Sequence, residues 1–219
     1  MLEVNRMNEK IKKVMSALKE NNMNVFYAET KEQIPEIVSS LLKKGDTVSC
    51  GGSMTLAQCG VMELLRCGDY NFLDRGAEGL TREDIQEIYR KTFSADAFLT
   101  SANAVTEKGE LINVDGNANR VAAIAFGPKK IICVVGANKI VADVQEGFKR
   151  VKTVAAPKNA VRLGTETPCK ALGHCIFPDG DIATGCKSPD RLCAHYTVNA
   201  FQRVKDRINI IICAEALGY

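Results

Sequence analysis

Three clusters and two single residues in this sequence have the types and spacing that chemistry needs. The first cluster is Gly51-Gly52-Ser53-Met54-Thr55-Leu56. Its glycines permit tight turning and close backbone approach. The Ser53 and Thr55 hydroxyls, with the free N–H groups of a helix start, suit a phosphate or carboxylate. The pattern matches neither the phosphate loop ending in Gly-Lys-Ser/Thr nor the fingerprint of three spaced glycines, so no nucleotide cofactor is supported. A plain strand-to-helix turn capped by Ser53 explains the same residues. The second cluster is polar: Asn103, Asn113, Asp115, Gly116, Asn117, Asn119 and Arg120. Arg120 suits two-pronged binding of a carboxylate or phosphate, and Asp115 suits orienting it or, partly desolvated, acting as a base. The competing reading is an Asn-rich turn with a solvated arginine.

The third cluster is Cys169, Cys175, Cys186 and Cys193, separated by five, ten and six residues. Four thiolates in a turn-rich segment suffice for tetrahedral zinc or an iron–sulfur cluster. No paired C-x-x-C fixes which, and His174 and His195 beside them allow a mixed site. Four thiols without metal are the alternative, since free cysteine is among the most buried residue types. Cys50, Cys59, Cys67, Cys133 and Cys213 sit in or beside apolar stretches and read as small core hydrophobes. Cys50, directly before the glycine turn, is the exception worth testing. Glu215 follows the last apolar strand, where ligands gather in open α/β sheets, although acidic residues there are more often solvated.

The elements that must position these residues alternate. Val4, Ile11, Val14, Met15 and Leu18 mark an amphipathic helix, and 24–28 reads as a strand. Thr30 with Gln33 resembles a capping box for a helix running through Lys43. The strand 47–50 enters the glycine turn and MTLAQCGVMELLR has helical spacing. A strand at 71–73, a helix opened by Thr81 and a strand at 97–100 follow. AVTEKGELINVDG then reads as a hairpin turning at Lys108 and Gly109. Residues 117–126 suit a short helix, 130–135 a central strand and 141–154 a helix ended or kinked by Pro157. Periodicity is lost from 164 to 195 and returns at Tyr196, before a β-branched final strand at 207–213. The expected fold is therefore α/β, a Rossmann-like, largely parallel sheet with helices on both faces. The cysteine-rich excursion, 164–195, is an insertion within a single domain, 1–219.

The 219 residues are 46% hydrophobic and 25% charged with net charge +3, the balance of a soluble globular chain rather than a disordered one. No basic stripe interleaved with aromatics points to nucleic acid. No uninterrupted apolar window or signal-peptide core points to a membrane or to export, so a cytoplasmic location is expected. Nine cysteines, an odd number, fit reduced thiols better than disulfides.

Taken together, GGSMTL at 51–56, ADAFLTSANAVTEKGELINVDGNANRVAAIAFGPKKIICVVG at 95–136, AAPKNAVRLGTETPC at 155–169 and KSPDRLC at 187–193 resemble the lactate-utilisation (LUD) domain family. The resemblance implies a fold similar to glucosamine-phosphate deaminase, ribose-phosphate isomerase and coenzyme A transferase. It also implies a small anionic metabolite and a role in lactate or related hydroxy-acid oxidation within an iron–sulfur system. Gly51, Gly52, Ser53 and Thr55 would face the ligand, and Asn103, Asp115, Asn119 and Arg120 would form the polar rim, with Ser53, Thr55 and Arg120 holding the carboxylate. The stretch IFPDGDIATG is longer than the family pattern, so the metal geometry need not carry over. No ferredoxin-like portion is recognised, so electrons would pass to iron–sulfur partner proteins. Two further readings follow from the fold and the cysteines. One is a stand-alone isomerase or transferase on a phosphosugar or acyl thioester, with Asp115 or Glu215 as base or nucleophile. The other is a non-enzymatic, metal-stabilised binding module. Homo-oligomerisation is the default expectation.

Overall fold

The computed structural model describes residues 8–179 and 181–219; Val4 and position 180, both within expected elements, lie outside them. The strands are β1 (Asn24–Ala28), β2 (Thr47–Cys50), β3 (Asn71–Leu73), β4 (Ala97–Thr100), β5 (Ala104–Thr106), β6 (Leu111–Asp115), β7 (Lys130–Gly136), β8 (Ile140–Val141), β9 (His195–Asn199) and β10 (Ile208–Cys213). The helices are α1 (Glu9–Glu20), α2 (Ile34–Leu41), α3 (Met54–Gln58), α4 (Val61–Leu65), α5 (Arg82–Thr92), α6 (Asn119–Ala125), α7 (Val144–Arg150), α8 (Ala156–Leu163) and α9 (Pro168–Leu172).

Six strands form a parallel sheet in the order β1-β10-β7-β4-β2-β3. Strand chemistry decides who is central: β4 and β10 are buried at every position, as strands covered on both faces must be. The two-residue period divides their side chains between two cores. Ile208, Ile210 and Ile212 pack with Ile131, Cys133 and Val135 under Ile11, Val14 and Leu18 of α1 and Ile124 of α6. Ile211 and Cys213 pack with Ile132 and Val134 under Ile34 and Val38 of α2, Leu56 of α3 and Val61 and Leu65 of α4. The α/β architecture with helices on both faces is thus the one the alternation predicts. No helix among the described residues is long and apolar enough to cross a membrane.

Caps set the helix starts. The Asn8 side chain accepts from the Lys10 N–H, and Thr81 with Asp84 forms a capping box for α5. Thr30 and Gln33 also form a capping box, but it opens a single 3-10 turn before α2, which ends at Leu41 rather than Lys43. The MTLAQCGVMELLR segment is two short helices, because Gly60 adopts a left-handed φ of 72° between them. Pro157 does not end its helix. It lies in the first turn of α8, where its missing N–H is harmless, and a π-helical turn at Val151–Ala155 joins α7 to α8.

The expected hairpin is β5–β6, with Gly109 at φ 80° in its turn. It belongs to a second sheet, β8-β5-β6-β9, that the local pattern does not announce, because two of its strands come from distant segments. Ala104, Ile112, Val114, Val151 and Cys193 form its own small core. The cysteine-bearing excursion, which includes α9, therefore leaves from α8 and returns on β9, so both ends are anchored beside this sheet.

Candidate functional site

In the large sheet, β2 connects to β3 on one side while β4 leads towards β7 on the other, so the connections diverge between β2 and β4. A divergence of this kind opens a crevice beyond the carboxyl ends of parallel strands. A cavity of about 430 Å³ lies there. Its walls include the turn after β2 (Gly51, Gly52, Ser53), the segment after β4 (Ser101, Asn103), Asp115 and Asn119, and part of the cysteine-bearing excursion around Asp190. Gly51, Gly52, Ser53, Thr55, Asn103, Asp115, Asn119 and Arg120, far apart in sequence, all line it; Glu215 does not.

Arg120 has a different task from the one its type suggests. Its Nε donates to Asp115 Oδ1 (2.9 Å), Nη1 to the Ser101 carbonyl (3.0 Å) and Asn113 Oδ1 (2.7 Å), and Nη2 to Asn103 Oδ1 (2.9 Å) and the Val114 carbonyl (2.9 Å). A guanidinium has five N–H donors, and protein acceptors engage that many. The Arg120 and Asp115 side chains are only 14% and 11% exposed. Asp115 is equally engaged, since its Oδ2 accepts from the Val121 N–H at 2.8 Å. The pair, with Asn103 and Asn113, ties the end of β4, the β5–β6 hairpin and the start of α6 into one rigid wall. The expectation that Arg120 grips a ligand carboxylate gives way, because its donors are spent before a ligand arrives.

Two arginines that the sequence does not single out reach the glycine turn instead. A Cβ on Gly52 would collide with Arg75 Nη2 and would lie 3.6 Å from Arg162 Nη2, so both guanidiniums converge on the glycine turn. Arg75 stacks on the Tyr89 ring, 5.7 Å from its centroid, and donates to the Tyr89 hydroxyl at 2.8 Å. Arg162 is held by Asn159 Oδ1 (3.1 and 2.7 Å) and by the Tyr219 hydroxyl (2.8 Å). Among the described residues neither has a carboxylate within ion-pair distance. Ser53 caps α3 by accepting from the Leu56 N–H at 3.2 Å. A helix of five residues supplies little dipole, so the positive field here comes from side chains.

Lys139 is the other residue sequence reasoning misses. It stands at the end of the 3-10 turn that follows β7, lines the cavity and is 3% exposed. Its Nζ donates to Thr55 Oγ1 (2.9 Å) and Ser101 Oγ (3.0 Å). Burial, with the like charges of Arg150 and Arg120 and against the opposing influence of Cys133, lowers its pKa to about 7. The available signal is a lysine just past a strongly apolar strand; Arg75, just past β3, carries the same one. Arg162 lies on α8, and nothing local marks it.

The four cysteines of the excursion lie near one another. Cys175 and Cys193 are buried, and Cys169 and Cys186 are partly buried. Burial raises the Cys169 pKa, and Cys193, Cys186 and Cys175 add to the rise against the Thr167 hydroxyl, so the four share one neighbourhood. Yet among the described residues no three His, Cys, Asp or Glu side chains are disposed to hold a metal ion. At Cys50, burial pushes the thiol up to about 11, away from the thiolate a nucleophile needs, and its Sγ donates to Met62 Sδ at 3.9 Å.

Among solved structures, a DUF162 family protein from Deinococcus radiodurans is similar over 95% of this chain and 100% of its own, with TM-score 0.53 and 16% identity, a likeness of fold. Ribose 5-phosphate isomerase A from Methanocaldococcus jannaschii covers 80% of each chain with TM-score 0.38 and 15% identity. The eIF2B beta subunit of Chaetomium thermophilum covers 65% of this chain and 46% of its own, with TM-score 0.38 and 13% identity. No curated protein matches the sequence. Residues 11–213 match the model of the LUD domain, and the chain belongs to that family.

Proposed function

We propose that the cleft binds a small carboxylate or phosphate metabolite, clamped by Arg75 and Arg162 above Gly52. The observation that carries this reading is the convergence of two guanidiniums, with no carboxylate in ion-pair reach among the described residues, on a turn that has no side chain to fill the space. Unpaired cations this close repel each other, and an anion between them removes that repulsion and adds charge-assisted hydrogen bonds. Membership of a family named for lactate utilisation makes lactate and its 2-oxo product the first ligands to try. Lactate oxidation releases two electrons and two protons, and no side chain of this cleft accepts a hydride. In this reading the chain holds the acid, and an iron–sulfur partner protein takes the electrons.

Titration calorimetry with lactate, pyruvate, inorganic phosphate and ribose 5-phosphate tests the proposal. Binding of one of these, weakened about tenfold or more in each of Arg75→Ala and Arg162→Ala, is the expected result. Preference for ribose 5-phosphate over the hydroxy and oxo acids would move the reading to phosphosugar chemistry. Affinity unchanged in both variants would remove the clamp.

A further inference from the structure

We propose that Lys139 is the reactive amine of this cleft and condenses with the carbonyl of a small 2-oxo carboxylate to form an imine. The inference rests on the anion-binding reading above and adds to it a covalent activity and a substrate class. Three observations carry it. Lys139 lines the cavity although only 3% of the residue is exposed, so its side chain borders the cleft while bulk water scarcely reaches it. Its partners are neutral hydroxyls, and among the described residues it makes no ion pair. Those hydroxyls are also oriented: Thr55 Oγ1 donates onward to the Leu217 carbonyl (3.3 Å) and Ser101 Oγ to the Ala102 carbonyl (3.4 Å), leaving each to accept from Nζ.

A neutral amine has two N–H groups and one lone pair, and the two hydroxyls use both N–H groups. An ammonium would carry a third N–H and a buried charge with no counter-ion beside it. The environment therefore favours the nucleophilic form, through the same burial that lowers its pKa. In the condensation the Nζ lone pair attacks the carbonyl carbon. A C=N bond replaces the C=O bond, and the oxygen leaves as water with the two amine protons. A proton taken up from water converts the neutral imine to an iminium, which withdraws electrons from the neighbouring carbon, so a C–H proton there is lost to solvent and regained.

The test incubates the whole protein with pyruvate and sodium cyanoborohydride at neutral pH and maps the product by peptide mass. The reductant adds hydride to the imine carbon, leaving a secondary amine heavier by the acid's mass less one oxygen. One adduct at Lys139, absent in Lys139→Arg, is expected, together with exchange of pyruvate methyl hydrogens for deuterium that the same variant loses. Adducts confined to surface lysines, with Lys139 unmodified, would overturn the proposal even where calorimetry shows arginine-dependent binding of pyruvate. The Arg75→Ala/Arg162→Ala protein separates the two readings, with neutral acetaldehyde as a second probe. Loss of pyruvate trapping with acetaldehyde trapping at Lys139 retained supports both. Equal trapping of pyruvate in that double variant sinks the clamp and leaves the lysine standing.

Discussion

A side chain's type does not fix its job; the acceptors around it do. Arg120 and Arg75 are the same residue on the same cavity, yet the first spends its donors inside the protein and the second leaves nitrogen free over Gly52. Their substitutions should separate accordingly. Arg120→Ala strips the ion pair from a nearly buried Asp115 and leaves the Ser101 and Val114 carbonyls short of a donor, so a loss of about 3 kcal/mol is expected in urea unfolding. Arg75→Ala removes a partly exposed cation that rests on Tyr89 of α5, so it should cost no more than about 1 kcal/mol of stability while weakening anion binding. The polar density at 103–120 was readable as important, but whether Arg120 faced a ligand or its own fold was not. That depends on Ser101 and Asn103 arriving from another strand end.

At the scale of elements, the glycine turn and the excursion after α8 are the parts that make a site from a sheet. The Gly52 backbone is bare where Arg75 reaches over it. Gly52→Ala would press a methyl group onto the flexible end of that side chain, which can swing away at little cost to folding. Anion affinity should then fall about as far as in Arg75→Ala, with the melting temperature nearly unchanged, which calorimetry beside a thermal scan would show. The excursion was recognisable from lost periodicity and clustered Cys, Pro and Gly. Its use as a cavity wall around Asp190, with Arg191 donating to the Cys193, Cys186 and Ala183 carbonyls to hold it together, was not.

For the molecule as a whole, an amine whose pKa burial lowers leaves a mark on the pH dependence of stability. Lys139 binds its proton with pKa about 7 when folded and 10.5 as a free side chain. Between those values the unfolded chain holds more protons, so stability rises with pH across that window. From pH 7 to 8.5 the wild-type protein should gain about 1.5 kcal/mol relative to Lys139→Met in parallel urea titrations. Arg150, Arg120 and Cys133 are the charged or titratable groups that act on Lys139. From about pH 9, the ordinary thiol value, the buried thiols act in the opposite sense. Cys50 and Cys59 titrate near 11 and Cys133 near 12 when folded, so the unfolded chain loses those protons first. A slope no different between the two proteins would mean that Lys139 keeps its charge.

The sequence by itself determined the alternating elements, the parallel sheet and the loops where a ligand would sit. Apolar period, capping residues and glycine turns act within a few residues, and Thr81 with Asp84 or the runs at 97–100 and 208–213 carry their instructions locally. Tertiary structure alone decided which polar groups are spent and which are free. It set Arg162 of α8 beside Arg75, closed the second sheet with β8 and β9, engaged the donors of Arg120 and buried Lys139 between Thr55 and Ser101. The reason is physical: a backbone preference is a property of neighbouring residues, whereas hydrogen-bond satisfaction and desolvation belong to whatever the rest of the chain brings alongside.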